Sequence, residues 1–194
     1  MRSRVLVLHS GGQDSTTCLV WATSHFDKVE TLSFDYGQCH KVELSAARAI
    51  SKKLGVRHTV LRLNKIFDQL GDNSALVKHS LPTRSSHRSA SARDFDIGLP
   101  DTFVPGRNII FLTLAGAYAY NHGIKNLVTG VCQTDYSGYP DCREKTIAAI
   151  EKSLREGMEY DIKIYTPLMF MSKADTVRYM RNHGGLELLK YTHT

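Results

Sequence analysis

This chain has little that could staple, clip or anchor it. Only four cysteines occur among its 194 residues, Cys18, Cys39, Cys132 and Cys142. No two of them stand at C-x-x-C spacing, which excludes a zinc knuckle or redox pair of that design. In the expected cytoplasmic setting they are reduced thiols. No apolar run approaches the ~20 residues of a membrane span. The opening stretch, Met1 to His9, is basic and then apolar. Its apolar part is too short for a secretory signal, and a polar glycine loop follows at once. Internal repeats are absent, as is any domain linker beyond one Ser- and Arg-rich stretch. That stretch, Lys78–Arg93, lacks a single acidic residue. Within residues 72–99 it reads as a flexible insertion or lid, or as a solvated loop with no role.

What is present is ordinary globular material. Apolar residues make up 42% and charged residues 23%, which excludes collagen-like, mucin-like and wholly disordered chains. The length suggests one domain with at most a small appendage, and such a chain buries roughly 70% of its unfolded surface without disulfides. The net charge of +6 permits phosphate-bearing partners without requiring them.

Hydrophobic spacing predicts strands at Arg4–His9, Lys28–Asp35 and Arg57–Leu63, alternating with helices at Ser15–Phe26 and His40–Leu54. This βαβαβ rhythm indicates a parallel sheet with helices on its faces. Further on, a helix is predicted at Ile109–His122, a buried strand at Asn126–Val131 and an amphipathic helix at Cys142–Glu156. A fifth strand is predicted at Asp161–Thr166. A last helix, Ser172–His183, has Ser172 as its N-cap. The expected fold class is α/β: a Rossmann-like, doubly wound parallel sheet of about five strands.

The sharpest local signal is Ser10-Gly11-Gly12-Gln13-Asp14-Ser15, placed between the first strand and the first helix. In doubly wound sheets, ligands bind at the carboxyl ends of the strands. Two glycines allow backbone to approach phosphate closely, and the helix start offers free N–H groups. Ser10, Ser15, Thr16 and Thr17 add hydroxyls. The loop lacks the G-K-[ST] ending of a Walker A motif and is not G-x-G-x-x-G. Asp14 beside phosphates is repelled unless it holds Mg²⁺ or caps backbone amides.

This loop resembles the SGGxDS signature of the PP-loop ATP pyrophosphatases. Four more segments narrow the resemblance: Phe34-Asp35-Tyr36-Gly37-Gln38-Cys39-His40, Thr102–Asn108, Gly130–Arg143 (G-V-C-Q-T-D-Y-S-G-Y-P-D-C-R), and Tyr165–Leu168 with Lys173 beyond. Together they resemble the 7-cyano-7-deazaguanine (preQ0) synthase family of queuosine biosynthesis, an adenine nucleotide alpha-hydrolase-like fold. The resemblance implies that ATP activates 7-carboxy-7-deazaguanine as an adenylate. Ammonia then gives the amide, and a second activation gives the nitrile.

It also implies roles. Ser10, Gly11, Gly12, Gln13, Asp14, Ser15 and Thr16 would hold the phosphates, with Asp35 or Tyr36 near the ribose or adenine. Ser15, Arg107, Lys173 and Asp135 form the expected catalytic set. Thr134, Asp135, Tyr136, Tyr139, Asp141 and Arg143 would bind the deazapurine, with Asp135 or Asp141 accepting from its N1–H and 2-amino group. Cys132 and Cys142 read as packed thiols rather than nucleophiles. ATP and Mg²⁺ are the expected cofactors. A homodimer is expected from the family, and neither membrane nor nucleic acid is an expected partner.

Two departures stand out. Cys39 occupies the place of the family's usual arginine. The chain stops at Tyr191-Thr192-His193-Thr194, before the family's four-cysteine cluster, so the Zn²⁺ that the resemblance implies has no ligand set here. The competing readings are a divergent PP-loop paralogue that modifies a macromolecule and a non-catalytic ATP-binding sensor.

Overall fold

The computed structural model describes residues 3–37, 41–63, 104–133 and 139–193. The predicted insertion at 72–99, Cys39, and the loop residues Thr134, Asp135 and Tyr136 lie outside them. In chain order the elements are β1 (Arg4–Leu8), α1 (Gln13–His25), β2 (Lys28–Asp35), α2 (Lys41–Lys53) and β3 (Arg57–Arg62). They continue with α3 (Arg107–Asn121), β4 (Asn126–Val128), a 3₁₀ turn (Pro140–Cys142), α4 (Glu144–Met158), β5 (Lys163–Tyr165), α5 (Lys173–Asn182) and a second 3₁₀ stretch (Leu186–Tyr191).

The five strands form one sheet in the order β3-β2-β1-β4-β5, and each neighbouring pair is parallel. The chain winds outward from β1 through β2 to β3, then returns to place β4 on the other side of β1. The crevice between the carboxyl ends of β1 and β4 is therefore the topological switch point.

Period-two alternation sorts the strand residues onto two covered faces. Leu6, Leu32 and Leu127 join Leu112, Ala115, Ala119, Ile147, Ile150 and Leu154 under α3 and α4. Val5, Val7 and Val128 join Leu19, Ile50, Leu168 and Met180 under α1, α2 and α5. Both faces being covered explains why β2 is buried from Glu30 to Phe34 although three of those residues are polar. Each polar group is answered locally, as burial demands. Ser33 Oγ donates to the His9 carbonyl. Thr31 Oγ1 lies 2.9 Å from His58 Nδ1 and donates to the Arg57 carbonyl at 3.1 Å.

Glu30 is matched by charge. Its side chain is 3% exposed and lies 2.7 Å from Arg4, 3.7 Å from Arg57 and 3.8 Å from Lys28. Arg4 also donates to the His122 carbonyl at 2.7 Å. Removing the near partner strands a buried carboxylate, which is far worse than removing both charges. Arg4→Met is expected to lower the unfolding free energy by about 2–4 kcal/mol, and Arg4→Met with Glu30→Gln by less than that. Urea titration of the two variants checks the sign of the coupling.

Several predicted boundaries shift by two residues or more, among them the end of α4 at Met158 rather than Glu156 and the start of β5 at Lys163 rather than Asp161. Helix α1 opens at Gln13, two residues early, so the end of the glycine motif is already helical. Helix α3 likewise opens at Arg107 rather than Ile109. Strand β4 ends at Val128, because Gly130 leaves the sheet to pass over the start of α1. Helix α4 opens at Glu144, because Pro140–Cys142 form a separate 3₁₀ turn. Ser172 is the N-cap of α5 as expected, in a reciprocal capping box with Asp175.

Candidate active site

At the switch point lies a cavity of about 380 Å³. Its floor is the β1–α1 loop. Helix α1 is capped by Gly12, which has no side chain to accept from the first turn. The first-turn amides of a helix lack intrahelical partners, so here they face the cavity as an anion cradle. Gly11 has φ +90, and a Cβ there would collide with the Glu43 carbonyl oxygen and lie 2.8 Å from the Ala47 nitrogen. Helix α2 thus buttresses the loop from behind. Gly130 approaches from β4, where a Cβ would sit 3.1 Å from the Ser15 nitrogen. A side chain at that position would crowd the cradle.

Ser15 is the hub of the loop. Its Oγ lies 3.2 Å from His9 Nδ1, accepts from Ser10 N–H at 3.2 Å, and lies 3.1 Å from both Ser10 Oγ and the Gly12 carbonyl. Gln13 lines the cavity and donates its amide to Thr176 Oγ1 at 3.0 Å, tying α1 to α5. Asp14 caps no amide, and among the described residues its buried Oδ1 has no hydrogen-bond partner. Its Oδ2 pairs with Lys173 Nζ at 2.5 Å. The first residue of α5 thereby stands at the rim of the phosphate loop. Beneath it, burial and the Asp14 charge push the Cys18 thiol far up, so it stays protonated.

Helix α3 supplies the opposite wall. Arg107, Asn108 and Phe111 all line the cavity. Asp141 is 4% exposed and does not line it. Its Oδ2 accepts from Asn108 N–H at 2.9 Å, satisfying the start of α3. Arg143, exposed at the N-cap of α4, lies outside the cavity as well. Tyr139, Cys132 and Cys142 line it. Cys132 Sγ donates to the Met171 carbonyl at 3.4 Å, and Cys142 Sγ accepts from Asn108 Nδ2 at 3.3 Å. Both thiols are packed, as expected.

Some expected ligands do not face the cavity. Thr16 and Thr17 are fully buried, and their hydroxyls bond back to the Gly12 and Gln13 carbonyls at 2.8 and 2.9 Å. Asp35 turns its carboxylate toward the Gly37 amide at 3.4 Å, leaving Tyr36 as the cavity residue of that pair. His9, Phe34 and Phe111 also line the cavity, though the sequence alone assigns none of them a role. Phe34 and Phe111 stack at 4.4 Å with planes 9° apart, and Tyr36 lies 5.3 Å from Phe111. Phe111 was legible as the i+4 neighbour of Arg107 on one helix face. The chain's end also reaches the site, where His193 N–H donates to the Gly11 carbonyl at 3.2 Å.

The chain matches known proteins over nearly its whole length. Residues 4–194 match the family model described as queuosine biosynthesis protein QueC. The chain is 51% identical over 189 residues to a 7-cyano-7-deazaguanine synthase of Laribacter hongkongensis, covering 97% of this chain and 79% of that protein. It is 52% identical over 193 residues to one of Chromobacterium violaceum, covering 98% and 79%. Among solved structures, the U34-tRNA thiolase NcsA of Methanococcus maripaludis with its [4Fe-4S] cluster shares the fold. Its TM-score is 0.58 at 15% identity, covering 100% of this chain and 59% of that one.

Proposed function

The chain belongs to the QueC family of queuosine biosynthesis proteins, and from that membership we propose that it makes 7-cyano-7-deazaguanine from 7-carboxy-7-deazaguanine, ammonia and ATP. The observation that carries this reading is the identity of 51% and 52% to two synthases so named, over nearly the whole chain. The cavity supports it with an anion cradle at the switch point and an aromatic wall facing it.

A carboxylate is a poor electrophile, so activation must come first. Its oxygen attacks the α-phosphorus of ATP, and pyrophosphate leaves. Ammonia displaces AMP from the acyl-adenylate and leaves an amide. The amide oxygen attacks the α-phosphorus of a second ATP, again releasing pyrophosphate, and loss of AMP and of both N–H protons forms the C≡N bond. Both carboxylate oxygens therefore finish on AMP. The protein's part is to hold the phosphates in line and to offset the charge that develops on pyrophosphate.

In this reading the amides of Gly12 to Ser15, the Ser10 and Ser15 hydroxyls, Arg107 and Lys173 receive the phosphates. Tyr36, Phe34 and Phe111 receive a flat ring. Asp141 is engaged at the start of α3, so of the two candidate acceptors for the deazapurine edge, Asp135 is the one proposed, with Thr134, Tyr136 and Tyr139 around the ring. A homodimer and a cytoplasmic location belong to the same proposal. No described helix is long and apolar enough to cross a membrane.

Among the described residues, no cluster of three or more His, Cys, Asp or Glu could hold a metal ion. They therefore do not fit a structural zinc, whereas Asp14 pairs one oxygen with Lys173 and leaves the other, buried and without a hydrogen-bond partner among the described residues, as the oxygen that would face a Mg²⁺ carried by the triphosphate. Mg²⁺ enters on the triphosphate in this proposal, and no step is drawn through either ion.

The test is mass spectrometry of a reaction with carboxyl-¹⁸O substrate, ATP, Mg²⁺ and ammonium. The expected products are the nitrile and two AMP molecules, each carrying one ¹⁸O. Unlabelled AMP beside nitrile sinks the adenylate route. Bound ATP with no AMP released shifts the reading to a sensor. In the same assay Lys173→Met is expected to lower kcat/KM for ATP by about 10²-fold, the typical loss for one charged donor at a developing anion.

A further inference from the structure

His9 follows β1 and has a place in the site that the reaction as described does not use. Its ring is 1% exposed. Its backbone is held on both sides, since its N–H donates to the Leu32 carbonyl at 2.8 Å and its carbonyl accepts from Ser33 Oγ. The imidazole is therefore fixed in direction. Nδ1 lies 3.2 Å from Ser15 Oγ. Among the described residues Nε2 has no partner.

The proton inventory decides what this contact is. A hydroxyl has one proton and two lone pairs. Ser10 N–H can only donate, and it occupies one lone pair of Ser15 Oγ at 3.2 Å. Burial and the nearby His58 ring hold the His9 imidazole neutral, with its pKa lowered to about 3. A neutral ring carries one N–H. With that proton on Nε2, a donor is buried without an acceptor, and Nδ1 competes for the one proton of Ser15. With it on Nδ1, only a lone pair goes unmatched. Orphaned buried N–H groups are the rarer and costlier case.

We propose that His9 is a positioning residue for the nucleotide site: its Nδ1–H donates to Ser15 Oγ and makes Ser15 an obligate donor toward the phosphate loop. Ser10 N–H and His9 Nδ1–H fill both lone pairs of the hydroxyl. Its single proton must then point outward. Without nucleotide it reaches the Gly12 carbonyl or Ser10 Oγ, each 3.1 Å away. A phosphate oxygen can only accept, so a hydroxyl already committed to donating meets it without reorienting. Donation into the oxygen also polarises the O–H bond. The tautomer stands on this geometry alone, whereas the benefit to ATP rests on the function proposed above.

Two measurements separate those layers. Nitrogen-15 NMR of the wild-type chain reads the His9 tautomer directly. Protonated Nδ1 with a pyridine-type Nε2 is expected, and protonated Nε2 overturns the proposal whatever the reaction proves to be. Three variants then test the role. His9→Asn returns an amide donor to the δ position, His9→Gln places it one atom further out, and His9→Phe keeps a ring without a donor. ATP binding by calorimetry, and KM for ATP where turnover is seen, are expected to worsen by about tenfold in the Gln and Phe variants. His9→Asn is expected to recover most of that, with kcat little changed throughout. Equal losses in the Asn, Gln and Phe variants would mean that a donor returned to the δ position restores nothing, and wild-type binding in His9→Phe would mean that the ring only fills space; either result overturns the positioning role. If a variant fails to fold, the wild-type tautomer and the remaining variants decide.

Discussion

Gly11→Ala is expected to abolish ATP binding and to lower the unfolding free energy by about 3–5 kcal/mol, the sum of a left-handed backbone strain and an overpacking cost. The two parts have separate origins. Gly11 holds φ +90, which an L side chain rarely adopts. Its Cβ would also overlap the Glu43 carbonyl oxygen and stand 2.8 Å from the Ala47 nitrogen. Both are backbone atoms of α2, locked in helical hydrogen bonds, so no rotamer change relieves the clash. Either α2 retreats or the loop flips, and each route turns the cradle amides away from the cavity. Gly184→Ala is the control. Gly184 has φ +68, and a Cβ there would meet nothing within 4 Å, so only the conformational part, about 1 kcal/mol, is expected. Urea unfolding of both variants, with calorimetric titration by ATP, tests the difference. Equal destabilisation would mean that α2 yields freely.

Much of this architecture was legible because its signals are local. Strand β2 has the boundaries that its residues predict, Lys28 to Asp35. The Ser172 cap was legible because capping depends on a few adjacent residues. The glycine loop was legible in kind and place. What escaped the sequence was set by partners far along the chain. Asp14 and Lys173 are 159 residues apart, and their ion pair answers a repulsion that reading the loop alone leaves open. Asp141 looks like a free acceptor in its own loop, yet it satisfies an amide 33 residues earlier. Thr16 and Thr17 look like phosphate donors only until the phase of α1 turns them inward. Thr129 and Val131 have strand propensity, and Thr129 N–H still bonds the Tyr165 carbonyl of β5 at 3.1 Å, but the chain turns off the sheet where Gly130 meets Ser15.

His9 is the clearest case of a residue whose meaning is tertiary, and it leads to the second large effect. Among the described residues, burial favours the neutral imidazole at His9 and His58. Burial, then His58, lowers the His9 pKa from 6.5 to about 3, and burial, then Arg48, lowers that of His58 to about 4. The unfolded chain protonates both near pH 6.5. Between these limits the unfolded state binds more protons, so stability is complete above pH 6.5 and drains away as the pH falls. For His9 alone the loss by pH 3 is on the order of 4–5 kcal/mol. His58 is partly exposed and adds a smaller, solvent-screened share. Against a typical total of about 5–15 kcal/mol, that removes a large share of the stability as the pH approaches 3. Unfolding free energies from urea titrations at several pH values between 6.5 and 4 are expected to fall steeply. In His9→Phe the slope is expected to decrease by about 1.4 kcal/mol per pH unit, one proton's worth. An unchanged slope in that variant would show that His9 takes up its proton in the folded chain, and that its ring is not the neutral donor Ser15 requires.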